Sequence, residues 1–295
     1  MANQFLQNTL LKLDYAYQPI VDANSGKIFG YEALIRGVIE AGFSSIDNFF
    51  NIAYEEGALY ELDLSLRRLA IAKFMTFAKD GEKLFYNIDS RILEMPDYQP
   101  GNTKSLLAGL GLKSEILYYE ISEKYHFQSY ENLRFVLNTY RQQGYNLAMD
   151  DFGAGYSGIE LLYHADVNIL KIDRFLIDGV HKDSKKRLFM NYIIKLSHTQ
   201  GIKVVAEGVE LAEEFYVCKE LGADYIQGYF VQRPTTDVFE LGKHGVEHLE
   251  HIIATDRRLQ HKDSTLIQER LEKIEPLAVD SKISSVASKF KNDDR

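Results

Sequence analysis

The chain has 295 residues, of which 45% are hydrophobic and 26% are charged, so it is long enough to bury a sizeable core. Its net charge of -9 argues against electrostatic capture of duplex nucleic acid or of an anionic membrane surface. Its single cysteine, Cys218, excludes an internal disulfide, and the lack of a signal-peptide pattern or of an apolar run of about 18 residues predicts a cytoplasmic protein without membrane insertion.

The predicted strands begin with a hairpin. The stretch YAYQPIVDANSGKIFGYEALIRG reads as two strands joined by a turn at Asn24, Ser25 and Gly26. Amphipathic segments of helical period separate six further β-rich runs: KLFYNID (83–89), ILYYEIS (116–122), NLAMD (146–150), ILKID (169–173), KVVAE (203–207) and DYIQG (224–228). This alternation is typical of parallel βα units, and eight strands in about 250 residues favour a TIM-like (β/α)8 barrel over an open doubly wound sheet.

One of the helical segments within the predicted barrel has a distinct apolar face. In SKKRLFMNYIIKLSHTQG the helical period places five apolar residues on one face: Leu188, Phe189, Tyr192, Ile193 and Leu196. Gly201 is placed to end this helix.

We predict a barrel domain over residues 1–246 and a partly flexible, C-terminal helical extension over 247–295. The extension is a solvated appendage in the simplest interpretation, but it could instead pack on a regulatory protein or on a second subunit.

Seven of the eight predicted strands are apolar until their C-terminal ends, where each presents a side chain capable of chemistry. These side chains are Glu32, Asn87, Glu120, Asp150, Lys171 with Asp173, Glu207 and Gln227. A barrel gathers the C-terminal ends of its strands around one mouth, where active sites of this fold are built. Converging carboxylates would repel one another and therefore require cations. Oxygen ligands favour Mg²⁺ or Mn²⁺ over zinc.

Asp150 and Asp151 stand side by side, and adjacent carboxylates push one of the pair towards its neutral form unless a cation lies between them. We interpret the two aspartates as placed to hold, and to bridge, a pair of metal ions. Lys171 and Asp173 are two apart on one predicted strand and point the same way, so the lysine can orient a metal-bound water that Asp173 holds. Arg36, four residues after Glu32, supplies positive charge for a phosphate.

Seven ordered motifs resemble those of the EAL-domain cyclic di-GMP phosphodiesterases. They are YEALIRG, YNID, YYEISE, MDDFGAGYSG, LKIDR, VVAEGVE and IQGYFVQRP, and the resemblance covers residues from about 14 to 240. It implies a barrel with an antiparallel first strand and two Mg²⁺ or Mn²⁺ ions per site. It also implies a bacterial signalling hydrolase that converts cyclic di-GMP to linear pGpG, acting as a homodimer.

The same resemblance assigns roles to individual residues. One metal is held by Glu32, Asn87, Glu120 and Asp150, and the second by Asp150 and Asp151 with help from Glu207. Catalytic roles fall on Glu32, Lys171, Asp151, Asp173 and Glu207, with Lys171 positioning the attacking water. Substrate-binding roles fall on Gln18, Leu34, Arg36 and Gln227. Glu123 is the residue that anchors the DFGAGYSG loop and couples it to dimerisation, although an acid favoured by a helix dipole is also a sufficient explanation.

Two departures from the family pattern concern the substrate pocket and the loop. After Arg36 the chain reads GVIEAGFSSIDNFF, where many family members have an aromatic residue and His-Pro, and the loop ends in GYSG rather than GYSS.

Two functions are alternatives to hydrolysis of cyclic di-GMP. One is a catalytically weak EAL-type receptor that signals by conformational change or dimerisation, and the other is an enolase-type barrel with one Mg²⁺. A zinc hydrolase is less well supported, because every histidine lies off the predicted strand ends.

Overall fold

A computed structural model describes residues 9–122, 130–155 and 158–255. Within them the eight strands form a closed barrel in the order β1-β2-β3-β4-β5-β6-β7-β8, which confirms the predicted TIM-like architecture. The strands are β1 Asp14–Asp22, β2 Ile28–Arg36, β3 Lys83–Asn87, β4 Leu117–Ser122, β5 Asn146–Phe152, β6 Ile169–Ile172, β7 Lys203–Ala206 and β8 Tyr225–Ile226.

Helices and two 3₁₀ segments connect the strands. The helices are α1 Ile46–Glu55, α2 Leu59–Phe74, α3 Asn102–Gly109, α4 Tyr130–Gln142, α5 Gly158–His164, α6 Arg174–Ile177, α7 Ser184–Thr199, α8 Ala212–Leu221 and α9 His244–Thr255. The 3₁₀ segments are Ser90–Glu94 and Ser114–Ile116.

The first strand runs against the others. Strand β1 pairs antiparallel with both β2 and β8, whereas the pairs from β2 to β8 are parallel. The predicted hairpin turn explains the reversal, because Asp22 Oδ1 accepts hydrogen bonds from the backbone of Asn24 and Ser25, at 3.0 and 2.7 Å. Gly26 closes the turn at φ 75°, a left-handed conformation that glycine adopts without a steric penalty. The antiparallel first strand is therefore confirmed.

An apolar layer fills the barrel directly below its mouth. Each member of the layer stands two residues before one of the polar strand-end residues, so that strand alternation turns both towards the barrel axis. The layer contains Phe85, Tyr118, Ala148, Ile169, Val205 and Tyr225. The Phe85 and Tyr118 rings stack with centroids 4.7 Å apart. The interior is thus packed, and the polar residues form a separate layer above it.

Helix α7 packs on the barrel through a face that differs from its most apolar one. The buried residues are Met190, Ile194 and Ser197, whereas the predicted apolar face is largely exposed, at Leu188, Phe189, Tyr192 and Leu196. Gly201 follows the helix at φ 77°, as expected for a residue that ends it. Helical period alone therefore located the helix and its end, but not the face in contact with the sheet.

The chain divides into two compact units, residues 1–250 and 251–295, and only residues 251–255 of the second are described. The domain boundary expected at residue 246 falls within α9, and the division into barrel and extension stays a prediction. Among the described residues, no helix combines the length and the apolar character needed to cross a membrane. The cytoplasmic location also stays a prediction.

Candidate active site

The strand-end residues converge at the mouth of the barrel. Glu32 and Glu120 lie within β2 and β4, Asn87 is the last residue of β3, and Asp150 lies on β5. Lys171 is on β6, and Glu207 and Gln227 directly follow β7 and β8. Asn87 and Glu120 are register partners across β3 and β4. The parallel pairing brings these inward-facing side chains to one level, as the sequence predicts.

Lys171 lies at the centre of this group, and its side chain is 0% exposed. Its Nζ contacts Glu120 Oε1 and lies 2.6 Å from Glu207 Oε1, 3.0 Å from Asp150 Oδ1 and 3.3 Å from Glu32 Oε2. Burial alone would lower the pKa of Lys171, but the surrounding carboxylates raise it well above its ordinary value. The ammonium group is therefore protonated at neutral pH and compensates part of the surrounding negative charge.

Burial disfavours the charged forms of Glu120, Asp150 and Glu207. Burial is the main cause that raises the pKa of Glu120, Asp150 and Glu207 above the ordinary values, and repulsion from Glu32 adds to it. The Lys171 charge opposes the shift without cancelling it. One ammonium group shared by four carboxylates leaves an excess of negative charge, which an additional cation would neutralise.

Two side-chain amides orient the carboxylates. Asn87 Nδ2 donates to Glu32 Oε1 at 3.1 Å and to Glu120 Oε2 at 3.0 Å. Gln227 Nε2 donates to Glu32 Oε2 at 2.6 Å and to Gln18 Oε1 at 3.2 Å. Gln227 thus orients Glu32, and Gln18 in turn contacts Gln227. The substrate-binding roles of Gln18 and Gln227 stay predictions. A metal-ligand role for Asn87 requires its oxygen to face the site instead of its nitrogen, and that role stays a prediction.

The donor set fits a hard divalent cation. Glu32, Glu120 and Asp150 each offer one carboxylate oxygen, and these oxygens lie within 4.8 Å of one another. All three are oxygen donors, which is the ligand type that Mg²⁺ and Mn²⁺ prefer. The structure therefore supports a site for a divalent metal at the barrel mouth.

Asp151 has surroundings different from those of Asp150. Among the described residues it is the one non-glycine residue with positive φ, at 58°. The register between β5 and β6 shifts between Met149 and Phe152, so an irregularity of the strand coincides with the aspartate pair. Asp151 Oδ2 accepts a hydrogen bond from Ser122 Oγ at 3.1 Å, and Asp151 is not in the group of three carboxylates. Asp150 thus belongs to the group of three carboxylates, whereas Asp151 lies beside Ser122, and a metal ion bridged by the two aspartates stays a prediction.

A cavity of about 600 Å³ adjoins the mouth. Predicted residues in its wall are Leu34, Arg36, Asn87 and Asp151. Arg36 is exposed, and its Nη1 donates to the carbonyl of Ile35 at 2.8 Å. The cavity thus connects the predicted phosphate-binding arginine with two predicted metal ligands.

The cavity wall also contains residues that were not predicted from the sequence. Helix α1 contributes Ile46, Asp47, Phe50 and Asn51, and the stretch after β3 contributes Asp89 and Arg91. Arg91 Nη1 donates to Asn51 Oδ1 at 2.8 Å, and its Nη2 lies 2.6 Å from Asp89 Oδ2. Helix α1 begins within the segment that departs from the family pattern, so that departure was the available signal for Ile46, Asp47 and Phe50 in the cavity wall.

The structure does not place two of the predicted site residues, Asp173 and Glu123, in this group. Strand β6 ends at Ile172, and Asp173 instead caps the N-terminus of α6, where its Oδ1 accepts a hydrogen bond from the Phe175 backbone at 2.8 Å. Strand alternation therefore does not align Asp173 with Lys171, and its catalytic role stays a prediction. Glu123 lies outside the described residues, as do Tyr156 and Ser157 of the loop. The loop-anchor role also stays a prediction.

Comparison with known proteins identifies similar domains. The model of the family described as EAL domain matches residues 3–234. The probable cyclic di-GMP phosphodiesterase PdeI of Escherichia coli (strain K12) is 31% identical over 229 residues, which are 76% of this chain and 29% of that protein. The signaling protein YkoW of Bacillus subtilis (strain 168) is 29% identical over 221 residues, 74% of this chain and 28% of YkoW. The chain thus spans less than a third of the length of these two relatives.

Solved structures with a similar fold include complexes with the nucleotide. A manganese and cyclic di-GMP complex of Klebsiella pneumoniae BlrP1 is 30% identical, with a TM-score of 0.66, and the match covers 76% of this chain and 56% of that one. A standalone EAL protein of Vibrio cholerae O395 bound to cyclic di-GMP is 28% identical, with a TM-score of 0.64, over 77% of this chain and 98% of that one.

Proposed function

Because the chain belongs to the EAL domain family, we propose that it hydrolyses one phosphodiester of cyclic di-GMP to give linear pGpG. The observation that carries the proposal is the cluster of four carboxylates around the buried Lys171. A cavity large enough for a nucleotide adjoins this cluster, and Arg36 lies in its wall. An anionic substrate can therefore bind beside the residues that would activate water.

We assign two divalent ions, Mg²⁺ or Mn²⁺, to the acidic mouth. Glu32, Glu120 and Asp150 would hold one together with Asn87, and Asp150 and Asp151 would hold the second with help from Glu207. Bound there, divalent ions supply Lewis acidity and lower the pKa of water. The proximity of the three carboxylate oxygens supports the first site, and the position of Asp151 on the cavity side supports the second.

The protein side chains then have distinct tasks. Lys171 stays protonated, and its Nζ can donate a hydrogen bond to the oxygen of the attacking water. Glu207 Oε1 lies 2.6 Å from Lys171 Nζ, so this carboxylate would lie beside the same water and could accept the proton that the water loses. Gln227 Nε2 holds Glu32 through its hydrogen bond to Oε2. Arg36 would bind a phosphate of the substrate through its guanidinium group.

A catalytically weak receptor remains the second candidate. Its support is the contact of the Lys171 ammonium with all three carboxylates that would hold the first metal, because this contact competes with metal binding. Hydrolysis is favoured by the presence of every acidic ligand in the described part of the site. Asp151, on the cavity side of the trio, favours a second ion over an enolase-type site with one.

The direct test incubates the purified protein with cyclic di-GMP and separates the products by chromatography. We expect pGpG with Mg²⁺ or Mn²⁺ and none in EDTA, whereas Ca²⁺ should support binding better than turnover because its coordination is longer and looser. Glu120→Gln is the matched control, since it keeps the side-chain shape and removes the charge. Binding in Ca²⁺ without hydrolysis in Mg²⁺ or Mn²⁺ would establish the receptor.

We also propose a homodimer. Helix α5, which follows the DFGAGYSG loop, exposes Ile159 and Tyr163 at 75% and 83%. The two side chains are four residues apart and so lie on one face of the helix, where they offer an apolar patch that a second copy of the chain can cover. Sedimentation of Tyr163→Glu against the parent tests this proposal: we expect the variant to shift towards the monomer, and an unchanged sedimentation profile would contradict it. A regulatory partner of residues 247–295 stays a prediction.

A further inference from the structure

Helix α2 packs on the outer face of the barrel sheet and buries an ion pair there. The Asp63 and Arg67 side chains are 1% and 3% exposed, and they contact each other through Asp63 Oδ2 and Arg67 Nη2. Arg67 Nη1 also donates to Thr103 Oγ1 of α3. Burying two charges is unfavourable even when they pair, so this arrangement raises the question of what the pair contacts.

The pair contacts two tyrosines of neighbouring strands. The Tyr86 hydroxyl donates to Asp63 Oδ1 at 3.1 Å. The Arg67 guanidinium carbon lies 5.6 Å from the ring centroid of Tyr86 and 5.0 Å from that of Tyr119. The planar guanidinium group can stack on both rings at once, which an ammonium group cannot do. Asp63 and Arg67 therefore contact β3 and β4 at the same level of the sheet.

The residues that follow these tyrosines belong to the site. Tyr86 and Tyr119 are register partners, and so are Asn87 and Glu120. Successive strand residues point to opposite faces, so that the tyrosines face α2 while Asn87 and Glu120 face the mouth. Asn87 Nδ2 donates to Glu120 Oε2 at 3.0 Å on that inner face. A shift of either strand at the tyrosines would move both side chains of the site.

We propose that Asp63 and Arg67 are positioning residues for the metal site, acting through Tyr86 and Tyr119 on Asn87 and Glu120. The inference rests on the proposed function only in taking Glu120 as a metal ligand. Functional geometry tolerates displacements of about 0.5 Å, and residues behind the ligands commonly supply that precision.

Helix α2 has other means of attachment to the barrel. Its buried residues include Leu59, Leu62, Leu66, Ile71 and Phe74, an apolar set sufficient to pack the helix. Replacement of a buried ion pair by apolar side chains of similar volume often leaves stability unchanged or raises it. A purely structural role and a positioning role therefore differ in what they predict for such a replacement.

The test is the double variant Asp63→Leu/Arg67→Met in the full chain. Two quantities are measured: the Tm without metal, and the affinity for Mn²⁺ from the electron paramagnetic resonance signal of free Mn²⁺. We expect a Tm equal to or above that of the parent, with Mn²⁺ affinity lowered by about 10–100-fold. A folded double variant with unchanged Mn²⁺ affinity overturns the inference.

Tyr60→Phe is the matched control on the same helix. The Tyr60 hydroxyl donates to the carbonyl of Gln99 at 2.5 Å, and its ring lies 5.2 Å from that of Tyr98, outside the strands that carry the site. We expect this control to lower the Tm and to keep Mn²⁺ affinity, which separates lost stability from lost positioning. Equal losses of Mn²⁺ affinity in the control and the double variant would contradict a specific role of the ion pair.

Two milder variants keep the test decisive if the double variant fails to fold. Tyr86→Phe removes only the hydroxyl group that contacts Asp63, and Arg67→Lys keeps the charge but loses the stacking. Each should lower Mn²⁺ affinity, and normal affinity in both overturns the inference. A parent that binds Mn²⁺ without hydrolysing cyclic di-GMP contradicts the proposed function alone, whereas a parent that binds no Mn²⁺ also overturns the positioning role.

Discussion

At the scale of single residues, Lys171 is the side chain on which the mouth depends most. It contacts four carboxylates in the barrel interior, so it is both a structural counter-ion and the predicted partner of the attacking water. Its position at a strand end could be predicted from the sequence, because strand alternation turns it inward. Its burial and its partners could not, because they depend on residues from four other strands.

Lys171→Ala should separate chemistry from substrate binding. We expect turnover to fall by at least about 10²-fold, because the donor to the water is lost, while cyclic di-GMP binding in Ca²⁺ stays nearly intact. Arg36→Ala should weaken binding itself. Lys203→Ala is the matched control, since Lys203 lies at the start of β7 and pairs with Asp224. Normal turnover in Lys171→Ala would remove this lysine from the mechanism.

Glu207→Gln should stabilise the metal-free protein. Burial first, and then repulsion from Asp150 and Glu32, raises the Glu207 pKa well above its ordinary value. The folded protein therefore holds this proton more tightly than the unfolded chain, and the associated stability is lost as the pH rises through the raised pKa. A neutral amide avoids that loss, so the Tm should rise by about 2–5 °C near pH 8.

The pH profile provides the control for Glu207→Gln. The Tm difference from the parent should be small at acid pH, where the parent carboxyl group is protonated, and should grow towards neutral pH. Thermal unfolding at several pH values in EDTA measures it. A Tm difference that does not depend on pH, or a variant less stable than the parent near pH 8, would contradict the cost assigned to the buried charge.

At the scale of elements, the end of β5 combines structural irregularity with function. Strand and helix positions follow from hydrophobic period, and the sequence predicted the barrel from them. The register shift at Asp150 and Asp151 does not follow from any period, because it arises where β5 meets β6. The packing face of α7 and the contribution of α1 to the cavity also depend on neighbouring elements, so the sequence alone did not specify them.

Asp151→Gly tests the strain at that irregularity. A left-handed backbone costs an L-residue about 1–2 kcal/mol, which glycine avoids. We expect the metal-free Tm to rise by about 2–6 °C, while Mn²⁺-dependent turnover falls because a second-metal ligand is lost. Asp151→Asn is the control, since it keeps the tolerance for this conformation and removes only the charge. A lower Tm in Asp151→Gly would show that the Ser122 contact outweighs the strain.

At the scale of the whole molecule, the barrel separates stability from chemistry. An apolar layer packs the interior, and the four carboxylates around Lys171 lie above it, at the mouth. The Asp63–Arg67 pair lies on the outer face of β3 and β4 and positions Asn87 and Glu120 at the mouth. The sequence motifs identified the carboxylates at the mouth, because they follow strands at regular places, but they did not identify the ion pair on the outer face.

The most direct test of the central claim is the mass spectrum of the product formed from cyclic di-GMP and Mn²⁺ in ¹⁸O-labelled water. Activated water should add one ¹⁸O atom to the phosphate of linear pGpG, with no product in EDTA. Unchanged cyclic di-GMP in Mn²⁺, or an unlabelled product, would contradict a metal-dependent hydrolysis at this site.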